Sequence, residues 1–372
     1  MGLTVRLVHD PAAPDDDDPA TDEIAKVERL RYDVYHLEKS LFAGDADHDR
    51  RRLRDPQDPG AVIWLALDGD EEVGTIRLLW ARHAEFSHHD EETFGVSEFI
   101  AIAGPDRVGL ISRFIVRPEA RGGVVAGLLL DAIAQYCIER RIDVALCDAE
   151  PHLVSFYEAL GFRPYRAAID NPEFGLMVPL VMLVSDRPHL QHVGSFVVDM
   201  LPDGFPSEVE PELAEMAGRP TDASGSDPLV AISELFARSF DERPLIFEGL
   251  DDAQMKRLAA RSTVVDFTTG DMLIKEGHAS RTVWVLLEGS AEIVRAGRVV
   301  AVATRNSLVG ELALLHDTRR SADVRATSPG RAIVLSPRTI EDLTEQEPEI
   351  ATKLLFNLCA HLGRELLKAG TA

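Results

Sequence analysis

Positive charge is scarce in this sequence: 39 Lys and Arg face 63 Asp and Glu, for a formal net charge of −24 across 372 residues. Such a chain repels nucleic acid and anionic membranes unless its basic residues are gathered into a patch. The arginine run "DRRRLRD", Asp49 to Asp55, is bounded by carboxylates and reads as a solvated loop. Cysteines are few as well. Cys137, Cys147 and Cys359 are odd in number, far apart and without CxxC spacing, which argues against a structural zinc site and for a reducing, cytoplasmic setting. No segment offers the roughly 20 unbroken apolar residues of a membrane helix, so no membrane span is expected. Two metal-like patterns also fail. "DADHD" from Asp45 alternates oxygens like a calcium loop, but Arg50 and Pro56 stand where that loop needs glycine and glutamate. The adjacent histidines of "HHDEE", His88 to Glu92, do not share a helical face and read as a solvated loop.

What the sequence does contain divides in two, as a chain longer than one core usually supports should do. Leu201 to Pro228 combines five prolines with glycine, serine and carboxylates and reads as a linker. It leaves one domain over 1–200 and another over 229–372. The expected fold class is α+β: a mixed α/β sheet followed by a β-roll with terminal helices.

In the first domain, Val62 to Trp80 reads as a hairpin turning around Asp68-Gly69-Asp70. Val108 to Val116 is a strand, about Gly123 to Arg140 a helix with Leu128, Leu129, Ala132, Ile133 and Tyr136 at helical spacing, and Asp143 to Ala149 a strand again. "PHLVSFYEAL" is a short helix stopped by Gly161. Between strand and helix lies "RPEARGGVVAG", Arg117 to Gly127, whose backbone N–H groups make an anion-binding helix start.

Together "VRPEARGG" and "FYEALGF" resemble two motifs of the GNAT acyltransferases, over about Val5 to Val198. The resemblance implies an acyl-CoA or acyl-carrier-protein donor held at the backbone of Val116, Arg121, Gly122, Gly123, Val124, Val125 and Ala126. It implies direct acyl transfer to an amine, with Tyr157 protonating the departing thiolate. Valine at 124 departs from the family's glycine, and its Cβ crowds the place of a pyrophosphate. "LRYDVYHLEKSLF", Leu30 to Phe42, together with "ISRFIVRPEARG", more specifically looks like the N-acyl amino acid synthase branch, related to autoinducer synthases, which uses long-chain donors. An attacking ammonium must first lose a proton. Glu38 and Glu72 are the candidate bases, and the acidic chain favours cationic acceptors such as lysine side chains.

In the second domain, Gly270, Gly277, Gly289 and Gly297 punctuate short strand-like runs as in a small antiparallel β-roll, and Ile350 to Leu367 closes as an amphipathic helix. "GELALLHDTRRSADVRA", Gly310 to Ala326, offers N–H groups and a guanidinium to a phosphate. It resembles the phosphate-binding cassette of cyclic nucleotide-binding domains, a likeness covering about Leu229 to Leu367. That resemblance implies Gly310, Glu311, Leu312 and Ala313 at the ribose and phosphate, and Arg320 and Ser321 on the cyclic phosphate. The residue before the arginine is Arg319 where the family has proline, and "RSA" resembles bacterial cAMP receptors. Those receptors continue into a DNA-reading winged helix, for which the sequence given leaves no room. The expected function is therefore a cAMP-regulated N-acyltransferase using acyl-CoA, as in the cyclic-nucleotide-regulated lysine acetyltransferases that join the same two modules. Long-chain N-acyl amino acid synthesis and a non-catalytic cAMP-responsive binding role stay open beside it.

Overall fold

The computed structural model describes residues 2–12, 21–206, 208–218, 244–259, 261–312 and 319–369. They divide into two compact units, one of residues 1–148, 156–165 and 179–219, the other of residues 149–155, 166–178 and 220–372.

The first unit begins with β1 (Leu3–His9), α1 (Thr21–Arg31) and a π-helical turn, Tyr32–Glu38. The hairpin follows as β2 (Val62–Asp68) and β3 (Glu71–Trp80). Next come α2 (His88–Phe94), α3 (Val96–Ala103), β4 (Val108–Val116), α4 (Val125–Arg140), β5 (Val144–Ala149) and α5 (Val154–Leu160). β6 (Arg163–Pro164), β7 (Ile169–Asn171), β8 (Gly175–Leu183), α6 (Arg187–Val193), α7 (Val197–Met200) and α8 (Pro211–Gly218) complete this stretch of chain. The sheet runs β1-β2-β3-β4-β5-β8-β6, with β7 on β8. It is mixed, since β1 to β4 pair antiparallel while β4 and β5 are parallel. β2 and β3 are buried on both faces, with Ile63, Leu65, Leu67, Ile76 and Leu78 fully enclosed. Gly74 lets α4 approach the sheet, because a Cβ there would sit 2.9 Å from Leu129 Cδ1 and 3.0 Å from Val125 Cγ1.

The second unit is an antiparallel roll of two four-stranded sheets. After α9 (Asp252–Ala259) come β9 (Thr263–Phe267), β10 (Met272–Ile274), β11 (Val283–Glu288), β12 (Ala291–Arg295) and β13 (Arg298–Ala303). β14 (Leu308–Val309), β15 (Asp323–Ala326) and β16 (Gly330–Leu335) finish the roll, before α10 (Pro337–Gln346) and α11 (Pro348–Ala369). The sheets are β10-β15-β12-β13 and β14-β11-β16-β9. One apolar core joins β11 and β16 to α11 through Val285, Ile333, Leu343, Ile350 and Leu354.

Two stretches fold where the sequence reads as irregular. His88–Phe94 is a helix, because Ser87 and Asp90 form a reciprocal capping box and Phe94 anchors it in the core. Pro211–Gly218, inside the proline-rich stretch 201–228, is helix as well and buries Leu213, Met216 and Ala217; residues 219–228 lie outside the described residues. Cys137 and Cys147 are buried, and Cys359 is exposed on α11.

Candidate functional site

In the first unit the geometry centres on β4 and the start of α4. β4 and β5 pair only through Val108–Leu110 and Val144–Leu146, so the two strands part beyond those residues and open a wedge. Arg113 takes a left-handed φ of 53° in mid-strand, and the register with β3 shifts there; the bulge turns β4 away from β5. At the far end of β4, Gly122 turns the chain at φ 73° and α4 begins without a side-chain cap. Its first N–H groups are therefore available to an anion. Gly123 leaves its Cβ position 3.5 Å from the nearest atom, Ala120 O. Val124 is 63% exposed whereas Val125 is buried against the sheet. Ala126 follows within the same first turn.

The structure brings two of the singled-out residues together. Arg121 grips Glu38 with bonds of 2.6 and 2.7 Å and donates its Nε–H to the Val116 carbonyl at 2.9 Å. Both Glu38 oxygens are thus engaged, and the π-helical turn is tied to the loop before α4. Glu72 lies near Arg29 and Arg117, at 3.6 and 3.8 Å. Tyr157 stacks edge-on between Phe156 and Phe162, with centroids 5.4 and 5.7 Å away.

A buried ionic cluster escaped the sequence reading, because its members come from four separate segments. Arg77 contacts Asp55 at 2.9 Å and Asp58 at 3.2 Å; Arg31 holds Asp58 at 2.6 Å, and Arg113 holds Asp55 at 2.7 Å. Burial works to raise the Asp55 carboxyl, but Arg77 and Arg113 overcome it and hold the group well below the ordinary carboxylate range. Arg113 also lies over the Phe42 ring, 4.9 Å from its centroid. The cluster pins the bulged strand.

In the second unit, a cavity of about 630 Å³ is lined by Gly310, Glu311, Leu312, Arg320 and Ser321. Ala313 lies outside the described residues. Gly310 sits at φ 84°, and a Cβ there would meet Arg320 Nη1 at 2.5 Å and Thr282 O at 2.8 Å. Arg320 is 4% exposed. It donates to Gly310 O at 2.9 Å, to Ser280 Oγ at 3.1 Å and to both oxygens of Thr282 at 2.7 Å. Its Nε has no partner among the described residues. Burial draws the guanidinium down to about 10, with Glu150 and Glu311 opposing at longer range. His361 and Arg364 of α11 also line this cavity, and sequence reasoning missed them; their place one turn apart on the closing helix was the available signal.

Comparison with known proteins separates the same two regions. Residues 26–186 match the family model of the N-acyl amino acid synthase FeeM, and residues 264–347 match that of the cyclic nucleotide-binding domain. The chain is 32% identical over 93 residues to the cAMP-dependent protein kinase regulatory subunit of Schizosaccharomyces pombe, covering 25% of this chain and 22% of that one. It is 32% identical over 129 residues to glutaminase 2 of Bradyrhizobium diazoefficiens, covering 34% of this chain and 20% of the relative. The chain thus spans about a fifth of the length of these two relatives. Among solved structures, Escherichia coli ElaA is 20% identical and covers 48% of this chain and 99% of its own, with a TM-score of 0.34. The N-terminal domain of a transcriptional regulator from Streptomyces coelicolor is 30% identical over 34% of this chain and 92% of its own, with a TM-score of 0.31. The chain thus places a region similar to the FeeM N-acyl amino acid synthases ahead of one similar to cyclic nucleotide-binding domains.

Proposed function

We propose that this protein transfers an acyl group from acyl-CoA to an amine under the control of a cyclic nucleotide, cAMP. The observation that carries the proposal is the presence in one chain of two anion-receptive centres: the uncapped start of α4 beside the β4–β5 wedge, and the buried Arg320. The α4 N–H groups of residues 124 to 126 would hold the donor's pyrophosphate, while the β4 edge at Val116 carries the pantetheine arm toward the wedge. A neutral amine attacks the thioester carbonyl, the C–N bond forms as the C–S bond breaks, and Tyr157 gives the thiolate its proton. In the roll, Arg320 Nε–H and the N–H groups following Gly310 would take the cyclic phosphate, and Glu311 would accept from the ribose hydroxyl.

A coupling of about 1–3 kcal/mol would change activity roughly 5- to 150-fold.

The match over residues 26–186 favours a second reading of the same chemistry, with a long-chain acyl donor, from CoA or acyl carrier protein, and an amino acid acceptor. Thermal melting with acetyl-CoA, palmitoyl-CoA, cAMP and cGMP, singly and in pairs, tests both readings, since a ligand that binds only the folded chain raises its melting point. Non-additive shifts from cAMP and a donor support the regulated transferase, and the donor with the larger shift selects the chain length. A shift from cAMP with none from either donor leaves a cAMP-binding protein without acyl transfer. A shift from cGMP alone replaces the nucleotide.

A further inference from the structure

Glu38 and Glu72 are both engaged by arginines, so the proton of the attacking ammonium needs another destination. We propose that Asp148, at the mouth of the wedge between β4 and β5, accepts that proton. The assignment rests on the acyltransferase reading and names a residue for it.

Three observations place Asp148 there. Pairing of β4 with β5 ends at Leu110 and Leu146, two residues before Asp148, so its side chain lies where the strands have parted. Alternation along β5 sends Ala145 toward α4, where it lines a small apolar cavity with Ile133 and Cys137. Asp148, an odd number of residues further on, therefore faces the opposite side of the sheet from α4. Finally, the carboxylate is half-buried, and no side chain among the described residues donates to it. The other inward carboxylates of this unit are held: Asp55 and Asp58 by arginines, Asp90 by Ser87 and Gln57, Asp143 by Arg107 and Ser185. The charges that reach Asp148 come from His89 and Asp90 of α2 and Arg113 of β4. Burial pushes the carboxyl up to about 6, with His89 and Arg113 pulling it back and Asp90 adding to the rise. A carboxylate so placed is ionised at neutral pH and still basic enough to take a proton.

The step balances without a further reagent. R–NH3+ gives one proton to Asp148, and the neutral nitrogen adds to the acyl carbon as the C–S bond breaks. Tyr157 protonates the departing thiolate and is resupplied by the second proton that the nitrogen sheds on becoming an amide, while Asp148 releases its proton to water. Because the ionised form is the acceptor, activity should fall as the pH drops through about 6.

The test is thiol release by the full chain, with cAMP, from acetyl-CoA and palmitoyl-CoA against the free amino acids and a lysine peptide. Wild type should show an acid limb near pH 6. Asp148→Asn should lose about 100-fold or more in kcat with the donor KM unchanged, and Asp148→Ala should regain activity on addition of formate. If Asp148→Asn keeps the wild-type kcat and acid limb, the assignment is overturned and the acyltransferase reading stands. If both variants are inactive, melt early and ignore formate, Asp148 serves folding and the assignment is again overturned. If wild type turns over no donor with any amine, the transferase reading falls and takes the assignment with it.

Discussion

Arg77 and Arg320 are both buried guanidiniums, 2% and 4% exposed, and they are buried in opposite ways. Arg77 lies among carboxylates, with Asp55 and Asp58 both in direct contact. Arg320 is surrounded by neutral acceptors, the hydroxyls of Ser280 and Thr282 and two backbone carbonyls, and keeps an unpartnered Nε. A buried cation matched by anions is complete, whereas one held by dipoles alone retains most of its desolvation cost. The first arrangement serves architecture, and the second leaves a donor that the proposed cyclic phosphate would satisfy.

The largest effect that can break this comparison is expected at Arg77. Arg77→Met leaves Asp55 and Asp58 short of a counter-charge and should destabilise the first unit by about 3–5 kcal/mol, read as lost hydrogen-exchange protection in β2 to β4. Equal protection in the variant would make the cluster dispensable. Arg320→Ala should instead spare the fold and remove most of the cAMP-induced melting shift, a loss of roughly 10- to 150-fold in affinity from one charge-assisted bond. An unchanged shift would remove Arg320 from the pocket's chemistry.

Gly310→Ala sharpens the same point. The added Cβ displaces the Arg320 guanidinium and sits at a left-handed φ, which should weaken cAMP binding by about 1–3 kcal/mol in a roll that still melts cooperatively; titration calorimetry reads the difference. Smallest is Glu38→Gln. Its bond to Arg121 is exposed, so stability should move by less than about 1 kcal/mol, and an acyl-CoA affinity that rises would show that Glu38 competes with the donor for that arginine.

The legible parts of the sequence were those whose pattern is local. The hairpin around Gly69 and the α4 periodicity depend on neighbours within a few residues, and both elements fall within two residues of expectation. α2 was hidden by its run of charged residues, although the Ser87 and Asp90 capping box was on view. The Arg77 cluster was illegible for a different reason. Its partners lie from 19 to 58 residues apart in sequence, and only the register of β3 with β4 brings Arg77 opposite Ser112, beside Arg113. Asp148 was equally hidden: one polar residue in "DVALCDA" is unremarkable until the strand beside it departs.

The distribution of thiols has a practical consequence. Burial pushes Cys137 up to about 12 and Cys147 well above its ordinary value, so neither is a ready target for alkylating reagents at neutral pH. Cys359 is exposed on the helix that also sends His361 and Arg364 to the cavity beside Arg320. The unmutated protein therefore accepts a fluorophore or spin label at a single place, two residues from the cavity wall, and can report occupancy of the pocket by its own spectroscopy.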